Sequence, residues 1–532
     1  MHEPKVMGIT ALCLTVLFAA LLAKGGRPQG AQAAVPPAPQ SPCMKANGQL
    51  DIACTLPGSP NEDPDVKRVN REIDGTFSSS LAQLAAGPPS DESGRIVLLG
   101  RLLLYDKNLS VNRNEACVTC HMPETGFTSA VSLWNRTIVA NPGSVPVTNA
   151  TGLMPNYRID LHKPYPYVYS PYSPILHLNT TNHKLYGGNF WDMHATGVKT
   201  TNPAASQAED PFVNPREMAM PDRACVVYEI SRSRYAKLFT LVWGAQSFNI
   251  RWPADVEKVC SVPLSSDAVK PAALALSAAD RGMADAAYMH AAMSIASNEA
   301  SPEVSPFTSK FDAWLAGKAQ LTAQEQRGFD LFNGKAKCNR CHLSGFASGQ
   351  PSKAANATDQ NPLFTDFGAH NIGVPKNVAL PYYHEDKPDQ FGYIANPQGL
   401  NHVELEVGSF LRGPRDPNPE WARLAAQYDG RVQTPTLRDV DKRPYPGFVK
   451  AYMSNGYLKS LKAVVHFYNT SQALPRCAQG SPGEGLTCWP PPEVQANLET
   501  DDVGNLGLTD QEENDVVAFL KTLTDQYYVV KK

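Results

Sequence analysis

Cys117-Val118-Thr119-Cys120-His121 and Cys338-Asn339-Arg340-Cys341-His342 are the two stretches that decide how the rest of the chain reads. In a Cys-x-x-Cys-His run, two thiols add across the two vinyl groups of one haem, and the following histidine is placed to ligate the iron from below. A single copy is compatible with a redox dithiol or a zinc knuckle. Two copies point to two covalently bound c-type haems. Cys117, Cys120, Cys338 and Cys341 are then the attachment sites, and His121 and His342 the iron ligands. Redox chemistry is the expectation.

The bulk numbers agree. A chain of 532 residues, 42% hydrophobic and 19% charged, is long enough for two or three domains with a sizeable core. A formal net charge of −3 gives no reason to expect nucleic acid or an anionic membrane as a partner. The 45 prolines and 37 glycines imply much loop.

Residues 1–33 read as a signal peptide. Lys5 precedes an apolar run from Val6 to Ala23, and Ala31-Gln32-Ala33 offers a small-x-small cleavage pattern. An uncleaved anchor is the alternative, since the run is nearly long enough to span a membrane. The reading favours cleavage, with no stable membrane span afterwards. Cys13, preceded by Leu12, makes a poor lipoprotein site. Of the 11 cysteines, Cys13 leaves with the signal and four hold haem. The other six fall into close pairs, Cys43 with Cys54, Cys225 with Cys260 and Cys477 with Cys488, the usage of an exported, disulfide-forming protein. Disulfides together with haem attachment fit the bacterial periplasm.

Residues 34–90 read as an N-terminal arm, 91–270 as a first haem domain and 271–532 as a second. Ile96–Tyr105 carries Leu98, Leu99, Leu102 and Leu103, the pattern of a buried helix feeding the first motif. The stretch from His121 to about Pro174, with Tyr165-Pro166-Tyr167-Val168-Tyr169, reads as loop. Pro271–Ala300 is Ala-rich and reads as helix. Thr322-Ala323-Gln324-Glu325 has the form of a capping box and starts a helix with Phe329 and Phe332 that leads into the second motif. Thr509-Asp510-Gln511-Glu512 repeats the box before Val516, Phe519, Leu520 and Leu523, at the spacing of a closing amphipathic helix. Few strands suggest themselves. The fold class is mainly α, with long loops and little β structure.

Two such motifs in two helical halves resemble the bacterial dihaem cytochrome c peroxidase and MauG family. Leu99-Gly100-Arg101-Leu102-Leu103-Leu104-Tyr105-Asp106 is similar to the family's lead-in to its first haem. Phe190-Trp191-Asp192 with His194-Ala195 resembles its Phe-Trp-Asp-Gly-Arg-Ala motif, and Asn214-Pro215-Arg216-Glu217-Met218 its active-site glutamate segment. Ser305-Pro306-Phe307, Phe311-Asp312 and Thr436-Leu437-Arg438-Asp439-Val440 match its second half. The likeness runs from about residue 95 to 525. It implies two cytochrome c-like haem domains, the N-terminal one peroxidatic and the C-terminal one for electron transfer. It also implies reduction of hydrogen peroxide with electrons from a small periplasmic cytochrome c or cupredoxin. The alternatives are a MauG-type enzyme that oxidises residues of a partner protein, or a non-enzymatic dihaem electron carrier.

The resemblance assigns further roles. Glu217 becomes the distal acid/base, because splitting O–O needs a proton moved from the inner oxygen to the leaving one; Gln207 stands nearby. Trp191 becomes a relay between the haems. Aligning the family's Tyr-x-x-x-Gly turn on Tyr452–Gly456 puts Tyr468 where classical members have a methionine. Tyrosine there marks the MauG-type branch, and a phenolate stabilises oxidised iron where a thioether favours reduced iron. Met453 or His466 are the alternatives. A distal histidine for the first haem, if there is one, is open between His162, His177 and His183. His194 replaces the family's arginine. The resemblance also brings one calcium ion, held largely by backbone oxygens; a homodimer is left open.

Overall fold

Each Cys-x-x-Cys-His run lies just beyond a short helix, and each of those helices is crossed by a later one at a glycine. The computed structural model describes residues 62–146, 158–264, 273–347, 350–351, 361–413 and 418–527. The signal segment and the Cys43–Cys54 pair lie outside the described residues. The elements that build the sites are α1 Pro64–Ala86, α2 Glu92–Leu104, α3 Pro203–Glu209, α4 Ala278–Glu299, α5 Ala323–Asn333, α6 Leu461–Thr470 and α7 Asp510–Lys521.

Local chemistry explains where they begin. Asp91 caps α2 by accepting from the Gly94 N–H at 2.6 Å, and Ser277 caps α4 through the Asp280 N–H. Both expected capping boxes form, Thr322 with Glu325 on α5 and Thr509 with Glu512 on α7. The apolar stripe of α7 is buried as its spacing requires, with Val516, Phe519 and Leu523 at 0% exposure.

The crossings repeat. On α2, a Cβ at Gly100 would lie 2.0 Å from the Ser294 carbonyl oxygen of α4. On α5, a Cβ at Gly328 would lie 1.9 Å from the Asp515 carbonyl oxygen of α7. Only glycine lets two helix backbones approach this closely. One device thus closes both halves, each around its own haem motif.

Packing assigns α4 to the first half, although its sequence position falls in the second. Ala284, Ala287, Tyr288, Ala291 and Ile295 join a cluster that runs from Val66 on α1 to Val304 and also takes in Leu363 and Phe367. A second cluster runs from Phe311 to Leu523. Between them the chain is pinned by a buried ion pair. Arg438 donates to both carboxylate oxygens of Asp312, each at 2.9 Å, and its guanidinium lies 4.5 Å from the Phe307 ring. Tyr169 crosses the same seam, donating to Asp525 Oδ2 at 2.6 Å.

Among the described residues, β structure amounts to three two-stranded antiparallel ribbons. Disulfides join Cys225 to Cys260 and Cys477 to Cys488. No helix among the described residues is long and apolar enough to cross a membrane.

Candidate haem sites

Both motif histidines are held the same way. His121 Nδ1 lies 3.0 Å from the Phe127 carbonyl and His342 Nδ1 lies 3.0 Å from the Phe364 carbonyl. A carbonyl only accepts, so each ring donates from Nδ1 and keeps its Nε2 lone pair for a metal. Burial pushes the His121 pKa down to about 4 and lowers that of His342, which keeps both rings in the neutral, ligating form. Phe127 and Phe364 both sit in the left-handed region, at φ 56° and 52°. Each turn therefore spends some strain aiming its carbonyl at the histidine.

The four motif cysteines are unpaired. Burial pushes the Cys117 and Cys338 thiols up to about 12, and Cys120 rises too. Burial thus keeps these three sulfurs as neutral thiols. Among the described residues no group of three or more His, Cys, Asp or Glu side chains is placed to hold a metal ion.

Above His121 opens a cavity of about 1180 Å³, lined by Glu115, Trp191, His194, Gln207 and Glu217 among others. Gln207 comes from α3, whose start is set by the Asn202 cap and by Pro203 in the first turn. Glu217 follows the Asn214-Pro215 turn, and Asn214 Nδ2 donates to its Oε1 at 2.6 Å. Burial, then Asp160 and Asp210, push the Glu217 carboxyl up to about 8. The structure thus brings Gln207 and Glu217 together with His121. It also adds a carboxyl that the sequence reading missed: Glu115, two residues before Cys117 and 4% exposed.

His194 is clamped between two carboxylates, Nδ1 to Asp192 Oδ1 at 2.6 Å and Nε2 to Asp210 Oδ2 at 3.2 Å. Burial opposes its charge, yet the two carboxylates hold its pKa up to about 10. The imidazolium therefore supplies a positive charge where family members carry arginine. Of the other histidines, His162 lines this cavity but pairs with Glu406 Oε2 at 3.1 Å. His177 and His183 are exposed at a ribbon and its turn, and line neither cavity.

A second cavity, about 570 Å³, opens above His342. Tyr468 on α6 lines it, its phenol pushed up by burial and by the Cys341 and Cys338 sulfurs. Met453 also lines it. His466 turns away and meets Glu513 Oε1 at 2.9 Å. Trp191 lines both cavities, donating from Nε1 to the Lys163 carbonyl at 2.8 Å, with the Tyr165 ring edge-on at 5.0 Å.

Two buried ammonium groups show what the cavities are built to accept. Lys163 and Lys450 are 6% and 4% exposed. Their hydrogen bonds run to neutral oxygens, Lys163 to Thr128 Oγ1 at 2.9 Å and Lys450 to the Asp439 carbonyl at 3.0 Å. Burial pushes both pKa values down to about 7. A buried cation without an anion is costly. Haem brings two propionate carboxylates, so these lysines fit the group that the motifs attach.

Free motif thiols in pairs, oriented imidazoles and cationic cavities together fit a c-type dihaem protein, and comparison with known proteins narrows the class. Residues 95–320 match the family model described as di-haem cytochrome c peroxidase. The chain is 28% identical over 451 residues to the methylamine utilization protein MauG of Paracoccus denitrificans, covering 83% of this chain and 90% of the relative. It is 25% identical over 438 residues to the cytochrome-c peroxidase IdrP1 of Denitromonas iodatirespirans, covering 80% and 81%. In fold it is similar to the diheme peroxidase BthA of Burkholderia thailandensis, with a TM-score of 0.55 and 23% identity over 81% of this chain and 86% of that one. These comparisons support the dihaem cytochrome c peroxidase and MauG family, whose named members are oxidoreductases.

Proposed function

We propose that the chain is a periplasmic dihaem peroxidase that reduces hydrogen peroxide to water with electrons from a small cytochrome c or cupredoxin. The observation that carries the reading is the pairing of Glu217 with Gln207 in the cavity that His121 serves. Bound there, the haem supplies an iron that takes up peroxide and passes electrons to it. The chain's own residues do the rest. Glu217 accepts the proton of the incoming peroxide and returns it to the oxygen that leaves as water. Gln207 orients the peroxide through its amide, and the His194 imidazolium balances Asp192 and Asp210 at the cavity wall. Trp191, in the wall common to both cavities, carries oxidising equivalents between them. Lys163 and Lys450 would hold the haem propionates.

Tyr468 favours a second reading. As a ligand to a second haem, the Tyr468 phenolate would stabilise oxidised iron and make it a poor electron port, which suits MauG-type oxidation of residues on a partner protein. The relatives carry both kinds of name.

An optical titration separates the readings. Holoprotein, as isolated and half-reduced, is mixed with one equivalent of H2O2, with and without a reduced cytochrome donor. Fast return to the starting spectrum with donor oxidation supports the peroxidase. A long-lived oxidised spectrum that ignores the donor supports the protein-modifying oxidase. Two low-spin haems that never respond to peroxide overturn both.

A further inference from the structure

Peroxide turnover needs more protons than peroxide brings. H2O2 with two electrons and two protons gives two waters, and Glu217 only moves the substrate's own proton. Both added protons must enter a cavity whose acid/base groups are buried.

Glu115 is placed to deliver them. It lines the large cavity together with Glu217, and with Glu217, Gln207 and Cys117 it lines the deeper pocket beside the motif. Its Oε2 has no hydrogen-bond partner among the described residues. Its Oε1 accepts only from the Cys120 thiol among side chains, at 3.5 Å. Thioether formation at Cys120 removes that S–H, which leaves the carboxyl without a side-chain donor in the loaded protein. The Ser144 backbone still lowers its pKa, but burial outweighs it, and a buried carboxyl with no side-chain donor favours its protonated form.

The loop that carries Glu115 is fastened to the loop that carries Glu217. Ser144 N–H donates to the Glu217 carbonyl at 2.8 Å. The Ser144 carbonyl accepts from Asn112 at 2.9 Å and from Asn114 at 3.1 Å. Asn112 and Arg113 on the same loop are exposed, so the segment runs from solvent to the cavity within a few residues. The charged and titratable groups facing the pair are Cys117, Cys120 and His121 on the motif, Tyr167 on the loop after it and Glu299 on α4, with Asp160, Asp210 and Arg216 acting on Glu217.

We propose that Glu115 is a proton-relay residue, acting through Glu217, that carries solvent protons into the first haem cavity. The inference rests on the peroxide reading above. Burial and the neighbouring Glu217 push its carboxyl up to about 8, the range in which it both gives and takes a proton near neutrality.

The test compares wild-type holoprotein with E115Q, E115D and E217Q. Stopped-flow spectra follow the reaction with H2O2 from pH 5 to 9, and an indicator dye counts protons taken up. Expected for E115Q is an unchanged resting spectrum and an unchanged first phase. Proton uptake and the phase that tracks it slow at least about tenfold, while an inflection near pH 8 set by Glu217 remains. E115D restores most of the rate. E217Q slows the first phase as well. Wild-type proton uptake in E115Q, with E217Q impaired, overturns the relay and leaves the peroxide reading standing. An unimpaired E217Q sinks the peroxide reading itself. Infrared difference spectra of wild type and E115D need no E115Q protein. A protonated-carboxyl stretch that changes on peroxide addition and shifts in E115D is expected, and its absence overturns the relay.

Discussion

Replacing Gly328 with alanine tests the crossing that closes the second half. The new Cβ would lie 1.9 Å from the Asp515 carbonyl oxygen, 2.6 Å from its carbon and 2.9 Å from Phe519 Cβ, whereas ordinary contact begins near 3.4 Å. The obstacle is backbone, so α5 and α7 must part by roughly 1.5 Å, the difference between those two distances. A gap of that order forfeits much of the dispersion energy across Phe329, Phe332, Val516 and Phe519. Overpacking of this kind costs about 1–3 kcal/mol, here at the upper end. Alanine's better helix propensity returns about 1 kcal/mol, so the expected net loss is about 2 kcal/mol. Gly282 is the control: it lies on α4 with nothing within 4 Å of a Cβ, and G282A should stabilise by about 0.5–1 kcal/mol. Urea unfolding of both variants, followed by circular dichroism, makes the measurement. Because α6 packs on α7, the visible bands of the second haem should shift in G328A alone. A G328A protein as stable as G282A would refute the helix crossing as described.

Y468M should raise the midpoint potential of one haem and leave the other near its wild-type value, measured by redox titration; two unchanged potentials remove Tyr468 as a ligand. R438M strands Asp312 as a buried unpaired charge and should cost about 3–5 kcal/mol, whereas D312L/R438M should unfold at nearly the wild-type urea midpoint. Equal losses in the single and double variants contradict the buried pair. Stability should also fall with pH: Glu115 and Glu217 stand near 4.5 unfolded and about 8 folded. Their preference for the neutral form therefore favours the fold below pH 4.5 and is lost as pH rises through about 8. In E217Q the drop between pH 5 and pH 9 should be smaller, and curves parallel to wild type count against the buried carboxyl.

Residues whose chemistry is local were legible in advance. The two motifs, both capping boxes and the buried stripe of α7 follow from spacing alone; close spacing only suggested the Cys225–Cys260 and Cys477–Cys488 pairs, and the structure makes those bonds. Residues whose meaning depends on a distant partner were not. A glycine inside a helix reads as a weak point, and Gly100 or Gly328 becomes a contact only when α4 or α7 lies across it. A glutamate before a motif reads as a solvated charge until Glu217 and Glu299 close over it. Lys163 and Lys450 read as surface residues, because lysine is seldom buried. His194 looked like the loss of an arginine. The second carboxylate that charges it, Asp210, arrives from beyond α3, where no motif comparison pairs the two.

The two halves repeat one construction, and that repetition locates the functional difference. Each has a glycine-bearing helix before the motif, a crossing helix after it, and a histidine aimed by the carbonyl of a left-handed phenylalanine. None of these parts distinguishes one iron from the other. What differs is what else lines each cavity: a loop with Glu217 and the short helix with Gln207 in the first, the ten-residue helix with Tyr468 in the second. On the proposed reading, a carboxylate that handles protons leaves an iron available to peroxide, while a phenol that binds metal takes that availability away. Trp191 then belongs to neither half. Its ring borders both cavities, and its N–H is held by a backbone carbonyl that cannot take the proton away. Oxidation at that ring would stay reversible, as a relay requires.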